Sequence, residues 1–591
     1  MNFWQHIFAF DADSPLLFTQ FYFWGFFALV YALLALLLNV SPKVFKGEGD
    51  QRDRKKLHLR NVYLLFVSWF FYYKTSGLFL LILAFVTLSD WLIAQRIHRS
   101  EVSLHRKLWL TLSVVIDLCI LFYFKYAYFF TNVINDWFGA GFRVFDVFAY
   151  IGNGFSTAGR FSVDVIVLPV GISFYIFQVI SYTCDVFRKK IEPVRNILDF
   201  GFYVSFFPQL VAGPIVRAEE FIPQLYKPFH LSRRAFGIAV FWIINGLAKK
   251  IIMSDYLAVN LIDRVFDNPL LFSGFENLFA LFAYSLQVYA DFSGYTDIAI
   301  GVAMLMGFYL PMNFNSPYKS QSPQEFWRRW HMSLGRWLKG YLYIPLGGNR
   351  TILGHKAPKL WAANFNSLIT QVLGGLWHGA SWNFVLWGGI NGIGMIVEKI
   401  WREMNWHVRM GCMTMLTLGL IVLDYTTNLP VWRMFAFWSA IVWTGTSIRY
   451  IYHLCEGADT KFTRALGTGW AVIQTFTFIT FTRLFFRSSS NLDPATANEV
   501  AWATAKNMVN QIGGAWSNAI IPDFLWEYRW VVAMFVAGML IHWIPTNWKR
   551  RYRLWFSAMP LWLMVIVVCL AIVVIYQFVS AEMQPFIYFQ F

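Results

Sequence analysis

Charge is scarce in this chain. Only 14% of its 591 residues are Asp, Glu, Lys or Arg, against 57% hydrophobic and 20% aromatic. Soluble globular domains carry about 25% charged residues, so the scarcity points to an all-α polytopic membrane protein. Apolar runs at Leu16–Val40, Leu78–Ile93, Leu108–Phe130 and Leu561–Val579 each approach the roughly 20 residues that cross a bilayer core as helix. Cysteine is scarce too. Cys119, Cys184, Cys412, Cys455 and Cys569 form no CxxC pair and read as small apolar side chains, not a disulfide framework or zinc site. HxH and HExxH spacings are missing, which argues against a metal centre. Residues 1–15 lack Lys and Arg, and so lack the basic n-region of a cleaved signal peptide. Leu16–Val40 is therefore expected to be a retained first span. No internal repeat is visible, which weighs against an inverted-repeat transporter.

The charge that is present sums to +16. It lies in short loops between apolar runs, the pattern of a positive-inside membrane protein and not of a nucleic-acid binder. The basic segments 43–60, Arg96–Lys107, Arg188–Arg195 and Asn547–Arg553 are placed in the cytoplasm. The N-terminus, the glycine- and aromatic-rich Phe138–Val163 and the loop Ser488–Glu527 are placed outside. Lys74–Gly77 is read as a hinge and Pro169–Gly171 as a break. Asp199–Arg217, with Pro208, Gly213 and Pro214, reads as re-entrant or kinked. Asp291 and Asp297 sit in apolar context. They read as functional intramembrane carboxylates, or else Asp291, with Ser293 and Gly294, caps a helix over Ile298–Leu310.

One stretch departs from this pattern. Asn313–Glu398 is polar, basic and tryptophan-rich, and holds His331 and His378. Ser322-Pro323-Gln324-Glu325 has the form of a capped helix start. The spacing predicts one amphipathic helix onward to Tyr341. Its apolar face would carry Trp327, His331, Leu334, Leu338 and Tyr341, with Trp330 and Trp337 beside it. Arg329, Met332, Arg336 and Lys339 would lie opposite, with Arg328 at the margin. A titratable ring on an apolar face needs a partner or a cavity. Trp361–Trp377 covers roughly 25 Å as helix and Trp382–Glu398 returns. His378 is thereby expected at the outer turn of a short hairpin and His331 near the inner boundary, on opposite approaches to one channel. His355, in the basic link, reads as a solvated loop residue. His6 to Asp11 matches an HxxxxD pattern by chance. Gly388, Gly389, Asn391, Gly392 and Gly394 have the spacing of close helix packing, not of a nucleotide loop.

The segments FWRRWHMSL around His331 and LWHGASWNFVLWG around His378 resemble the membrane-bound O-acyltransferase family. Leu168–Arg188, Phe206–Arg217, Tyr289–Gly301 and Phe481–Ser488 are similar to its bacterial, polysaccharide-acetylating branch. The resemblance implies a single integral-membrane domain over residues 1–591, with a catalytic core at 313–398 and C-terminal membrane helices over 399–591. It implies about 11–13 membrane helices or half-helices around a transmembrane tunnel, in the bacterial plasma membrane. His378 matches the family's essential histidine and His331 its second. The implied reaction moves an acyl group, acetyl first, from a cytoplasmic thioester to a hydroxyl on an extracytoplasmic polysaccharide or relay protein. The donor is acetyl-CoA or an acyl carrier protein, used as co-substrate with no resident cofactor. Arg328, Arg329 and Arg336 are the expected phosphate-attracting residues. Asn313, Asn315, Trp327, Trp330, Trp377 and Trp382 are the expected site-lining ones. The alternatives are D-alanyl transfer from a carrier protein, and a polysaccharide or lipid export channel.

Overall fold

A computed structural model describes residues 10–11, 15–39, 49–155, 162–210, 213–228, 230–352, 354–455, 460–487, 497–579 and 586, without the side chains of 49–53, 155 and 497–498. Parts of several segments read from the sequence lie outside the described residues: His6, the basic residues 43–48, Val211 and Ala212, and 488–496. Among the described residues the fold is helical, the only strands being Thr351–Ile352 paired with His355–Lys356. His355 is exposed there. Five helices among the described residues, or up to seven if two bent pairs count as single spans, are long and apolar enough to cross a membrane. They are Phe21–Asn39, Arg54–Arg99, Ser103–Phe138, Arg233–Asp267 and Trp406–Thr427. Ile172–Phe187, within the expected span Ile166–Val186, is a shorter apolar helix of 16 residues.

The chain divides into two compact units. The first comprises Met1–Leu247, Gly294–Met312 and Arg550–Val574. Here Gly49–Ser76 and Leu80–Arg99 are separated by a 3₁₀ turn at Gly77–Phe79, with Gly77 at φ +59°, where the hinge is expected. Gly171, at φ +76°, starts the Ile172–Phe187 helix just after Pro169, a conformation cheap only for glycine. The Asp199–Arg217 segment is broken into helices of nine and four residues, buried throughout 199–210. Burial is what lets irregular backbone persist at membrane depth.

The second unit comprises Ala248–Ser293, Asn313–Lys549 and Ile575–Phe591. It contains two corrections to the sequence reading. Asp291 caps no helix, because Gly274–Leu305 is one continuous 32-residue helix. Asp291 sits inside it, 2.6 Å from Lys250 Nζ, which also contacts Asp255 at 2.8 Å. A π-helical stretch, Ala248–Asp255, carries Lys250 between the two carboxylates. Asp297, on the same long helix but in the first unit, accepts a 2.7 Å hydrogen bond from Asn245. The segment expected to be an outer loop also contains more structure than the sequence reading gives it: Ala497–Gly514 and Ile520–Glu527 are helices.

The hairpin Lys359–His378 and Trp382–Glu403 packs by glycine, as the spacing indicates. A Cβ added at Gly375 would lie 2.2 Å from Phe384 O, and one at Gly388 2.3 Å from Gln371 O. Backbone cannot yield at such distances, so these two glycines set how closely the helices approach. Gly389 meets nothing nearer than 3.9 Å and has no such role.

Candidate active site

The site is built in the second unit, from a break in the helix the sequence predicts as continuous. Ser322 does cap it, accepting from Glu325 N at 3.1 Å with Pro323 in the first turn. The Glu325 carboxylate turns back to Gln321 N, at 2.9 Å. The helix then stops after seven residues, at Arg329. Trp330 is extended, and His331 takes a left-handed conformation at φ +44° before Met332–Leu338 resumes. The cause lies 18 residues upstream. Asn315 N donates to Arg329 O and Met332 N donates to Asn313 O, both at 2.9 Å. These bonds replace the helix's own ladder and turn His331 inward. A non-glycine residue with positive φ costs of order 1–3 kcal/mol and persists only where its surroundings enforce it.

Asn313 also sets the imidazole. Its Oδ1 accepts from Ser333 N (3.1 Å) and Ser333 Oγ (2.9 Å). A backbone N–H can only donate, so the amide orientation follows, and the atom 3.2 Å from His331 Nδ1 is the oxygen. Nδ1 therefore carries the proton, and Nε2 keeps its lone pair. The break lies between two seven-residue helices, neither long enough to span a bilayer. Burial there pushes the His331 pKa down to about 3, because a charged ring loses its hydration.

His378 ends the Lys359–His378 helix. Its ring packs edge-on against Trp377 (4.9 Å between centroids), Trp387 (5.0 Å) and Phe486 (5.5 Å). His331 packs against Phe292 (4.7 Å) and Trp377 (5.8 Å). The two imidazole centroids are 6.4 Å apart. This corrects the expectation that the histidines stand at opposite membrane boundaries, since a bilayer core is about 30 Å thick. They belong to one site.

Both line a cavity of about 840 Å³. Its inner wall is Trp327, Trp387, Leu338 and Gly374; its charged residues are Arg328, Arg336, Lys339, Lys399, Arg402 and Glu403. Among the expected site residues, Trp327, Arg328 and Arg336 line it, Asn313 braces His331, and Trp377 bridges the two imidazoles. Four are placed elsewhere. Arg329 is held by Glu325 at 2.7 Å and by Asn315 O at 3.2 Å. Asn315 serves through its backbone alone in that turn. Trp330 is stacked under the Arg483 guanidinium at 4.4 Å, and Trp382 is 41% exposed. Sequence reasoning missed Phe292, Trp387 and Phe486, which pack on the two imidazoles, and Gln371, which lines the cavity. Phe292 and Phe486 stand inside segments that carry the family resemblance, but periodicity does not say which helices meet. Among the described residues, no group of three or more His, Cys, Asp or Glu side chains is placed to hold a metal ion.

Fold and site together define a helical membrane protein with two buried imidazoles facing a basic cavity. The chain belongs to the membrane-bound O-acyltransferase family, whose model matches residues 7–420. It is 41% identical to the probable alginate O-acetylase AlgI of Azotobacter vinelandii over 345 residues, 58% of this chain and 64% of that protein. It is 33% identical to the peptidoglycan O-acetyltransferase of Helicobacter pylori over 369 residues, 58% of this chain and 65% of that protein. The teichoic acid D-alanyltransferase of Bacillus subtilis is 28% identical over 245 residues, covering 40% of this chain and 60% of that protein. The chain thus spans less than two thirds of the length of these relatives.

Proposed function

We propose that this protein is a membrane O-acetyltransferase that moves an acetyl group from a cytoplasmic thioester to a hydroxyl of an extracytoplasmic polysaccharide or of a relay protein. The observation that carries the reading is the pair of imidazoles 6.4 Å apart on one cavity. The rings are too far apart to hydrogen-bond to each other, and both line the one cavity in which a hydroxyl and a thioester would meet. His378 takes the proton from the acceptor hydroxyl as its oxygen attacks the thioester carbonyl. The tetrahedral oxyanion collapses, the C–S bond breaks, and the thiolate leaves with a proton returned from the site. His331 offers Nε2 as a second acceptor that orients the hydroxyl, which requires the neutral ring that burial supplies. Arg328 and Arg336, at the cavity wall, attract an anionic donor; the remaining polar walls admit the thioester's amide-bearing arm.

The relatives' names support acetyl over D-alanyl, being acetylases at 41% and 33% identity and a D-alanyltransferase at 28%. The test is transfer from radiolabelled acetyl-CoA by purified protein in nanodiscs, with His378→Ala and His331→Ala beside it. Loss of general-base catalysis is expected to cost about 10²–10⁴-fold in rate. Full activity in well-folded His378→Ala would sink the proposal. Activity only with a carrier-bound D-alanyl donor would move it to the D-alanyl reading.

A further inference from the structure

Outside the catalytic cavity, in the same unit, the helices Trp406–Thr427 and Pro430–Leu454 form a hairpin with a membrane-facing shaft. Only 11% of the apolar window of Trp406–Thr427 is buried, and Met415, Leu416, Leu418 and Val422 stand exposed along it. At the basic end of this hairpin the side chains gather around one indole. The Arg409 guanidinium lies 4.5 Å from the Trp406 ring centroid and the Arg449 guanidinium 5.7 Å from it. His453 packs on the same ring at 6.0 Å. His407 is bonded to Tyr450 OH at 2.7 Å across the two helices. Arg409 donates to Arg402 O at 2.8 Å, and neither it nor Arg449 forms an ion pair with a carboxylate among the described residues. Each guanidinium has five N–H donors in a fixed fork, so most of this donor capacity remains available.

Two like charges on flexible stems gain by spreading apart into water. Here two helices bring them onto a single indole instead, where each gains a cation–π contact. An anion at that place would offset their repulsion and take up their remaining donors. The depth identifies which anion: the cluster lies at the end of a lipid-facing shaft, where headgroup phosphates lie and where tryptophan and arginine anchor. We propose that Trp406, Arg409, Arg449 and His453 form a binding site for the phosphodiester headgroup of an anionic phospholipid, whose acyl chains lie along the exposed face of the hairpin.

The experiment is native mass spectrometry of the full chain in detergent, after addition of equal amounts of phosphatidylglycerol and phosphatidylcholine with the same acyl chains. The wild type is expected to retain phosphatidylglycerol in preference. An arginine near a membrane surface contributes enough that Arg409→Gln/Arg449→Gln should hold it about 30-fold more weakly, with phosphatidylcholine adducts unchanged. Arg449→Gln alone, on an exposed side chain, should weaken retention about five-fold and guards against a folding defect in the double variant. Equal retention of phosphatidylglycerol by wild type and Arg449→Gln overturns the proposal. So does displacement of the lipid by millimolar inorganic phosphate, which would make this a site for soluble phosphate.

Discussion

Asn313→Asp is the substitution that most directly probes how the site is set. The carboxylate keeps the shape of the amide and the three bonds now made to Oδ1 by Ser333 N, Ser333 Oγ and His331 Nδ1. It adds a negative charge 3.2 Å from Nδ1. The donors from Ser333 favour its ionised form, and an adjacent opposite charge shifts a titrating group by about one to three pH units. In the wild type burial holds His331 at about 3, so the ring is neutral at any pH well above that value. In the Asn313→Asp variant the imidazolium is favoured, and the His331 pKa rises to between about 4 and 6. The sign follows from the mechanism. Protonation removes the Nε2 lone pair, so activity present above the raised pKa is lost as pH falls through it. The assay is initial acetyl-transfer rate against pH in nanodiscs, with the melting temperature recorded alongside at each pH. The wild type should show no acid limb from His331, and the Asn313→Asp variant should show one. Asn313→Leu, which strands the buried Ser333 N–H, should lower stability by about 1–3 kcal/mol and slow transfer without creating that limb. Superimposable rate profiles for wild type and Asn313→Asp, in folded protein, would refute both the tautomer assignment and the requirement for a neutral His331.

Three further outcomes follow from the geometry. Gly375→Ala drives a Cβ into Phe384 O and should destabilise by about 1–3 kcal/mol, seen as a lowered melting temperature, whereas Gly389→Ala, whose Cβ would meet only Val372 at an ordinary 3.9 Å, should leave melting unchanged. Arg336→Gln should raise the KM for an anionic thioester several-fold, more at low salt than at high, with kcat nearly constant. Arg329→Gln should change KM little, since its pairing with Glu325, with side chains 30% and 28% exposed, is worth under about 1 kcal/mol. Lys250→Met leaves Asp255 and Asp291 without their shared cation and should cost about 3–5 kcal/mol; adding Asp255→Asn and Asp291→Asn should recover most of the lost thermal stability.

Much of the helical framework was legible because its cause is local. Apolar runs, the Ser322 cap, the Lys74–Gly77 hinge and the Pro169–Gly171 break all depend on residues within a turn or two of each other. The cap alternative for Asp291 fails for the complementary reason. Beside Ser293 and Gly294 it has the local look of a cap, and the Lys250 that accounts for it comes from 41 positions earlier, on a π-helical turn that no apolar periodicity announces. Non-local hydrogen bonds produced the other large difference, at His331. Its helical periodicity is sound on both sides of the break, yet bonds from Asn313 and Asn315 interrupt it.

That interruption also explains why reasoning from charge put the two histidines too far apart. Positive-inside logic locates the ends of elements that cross the membrane. It says nothing about an element that enters from one side and stops. Pro323–Arg329 and Met332–Leu338 are seven residues each, roughly 10 Å of helix apiece. Their arginines mark the basic face, while the extended Trp330 and the left-handed His331 turn the chain inward between them. Seen from the other end, His378 closes a 20-residue helix whose length is not a measure of the depth of the site. The imidazoles meet because one stands at the end of a continuous helix and the other at a break between two short ones, and only the contacts with Asn313 and Asn315 distinguish the broken one. A chain in which Asn313 is replaced by a residue that cannot accept from Ser333 keeps the backbone bonds that break the 323–338 helix but loses the contacts that orient the His331 ring, so transfer should slow while the helix content measured by circular dichroism stays unchanged.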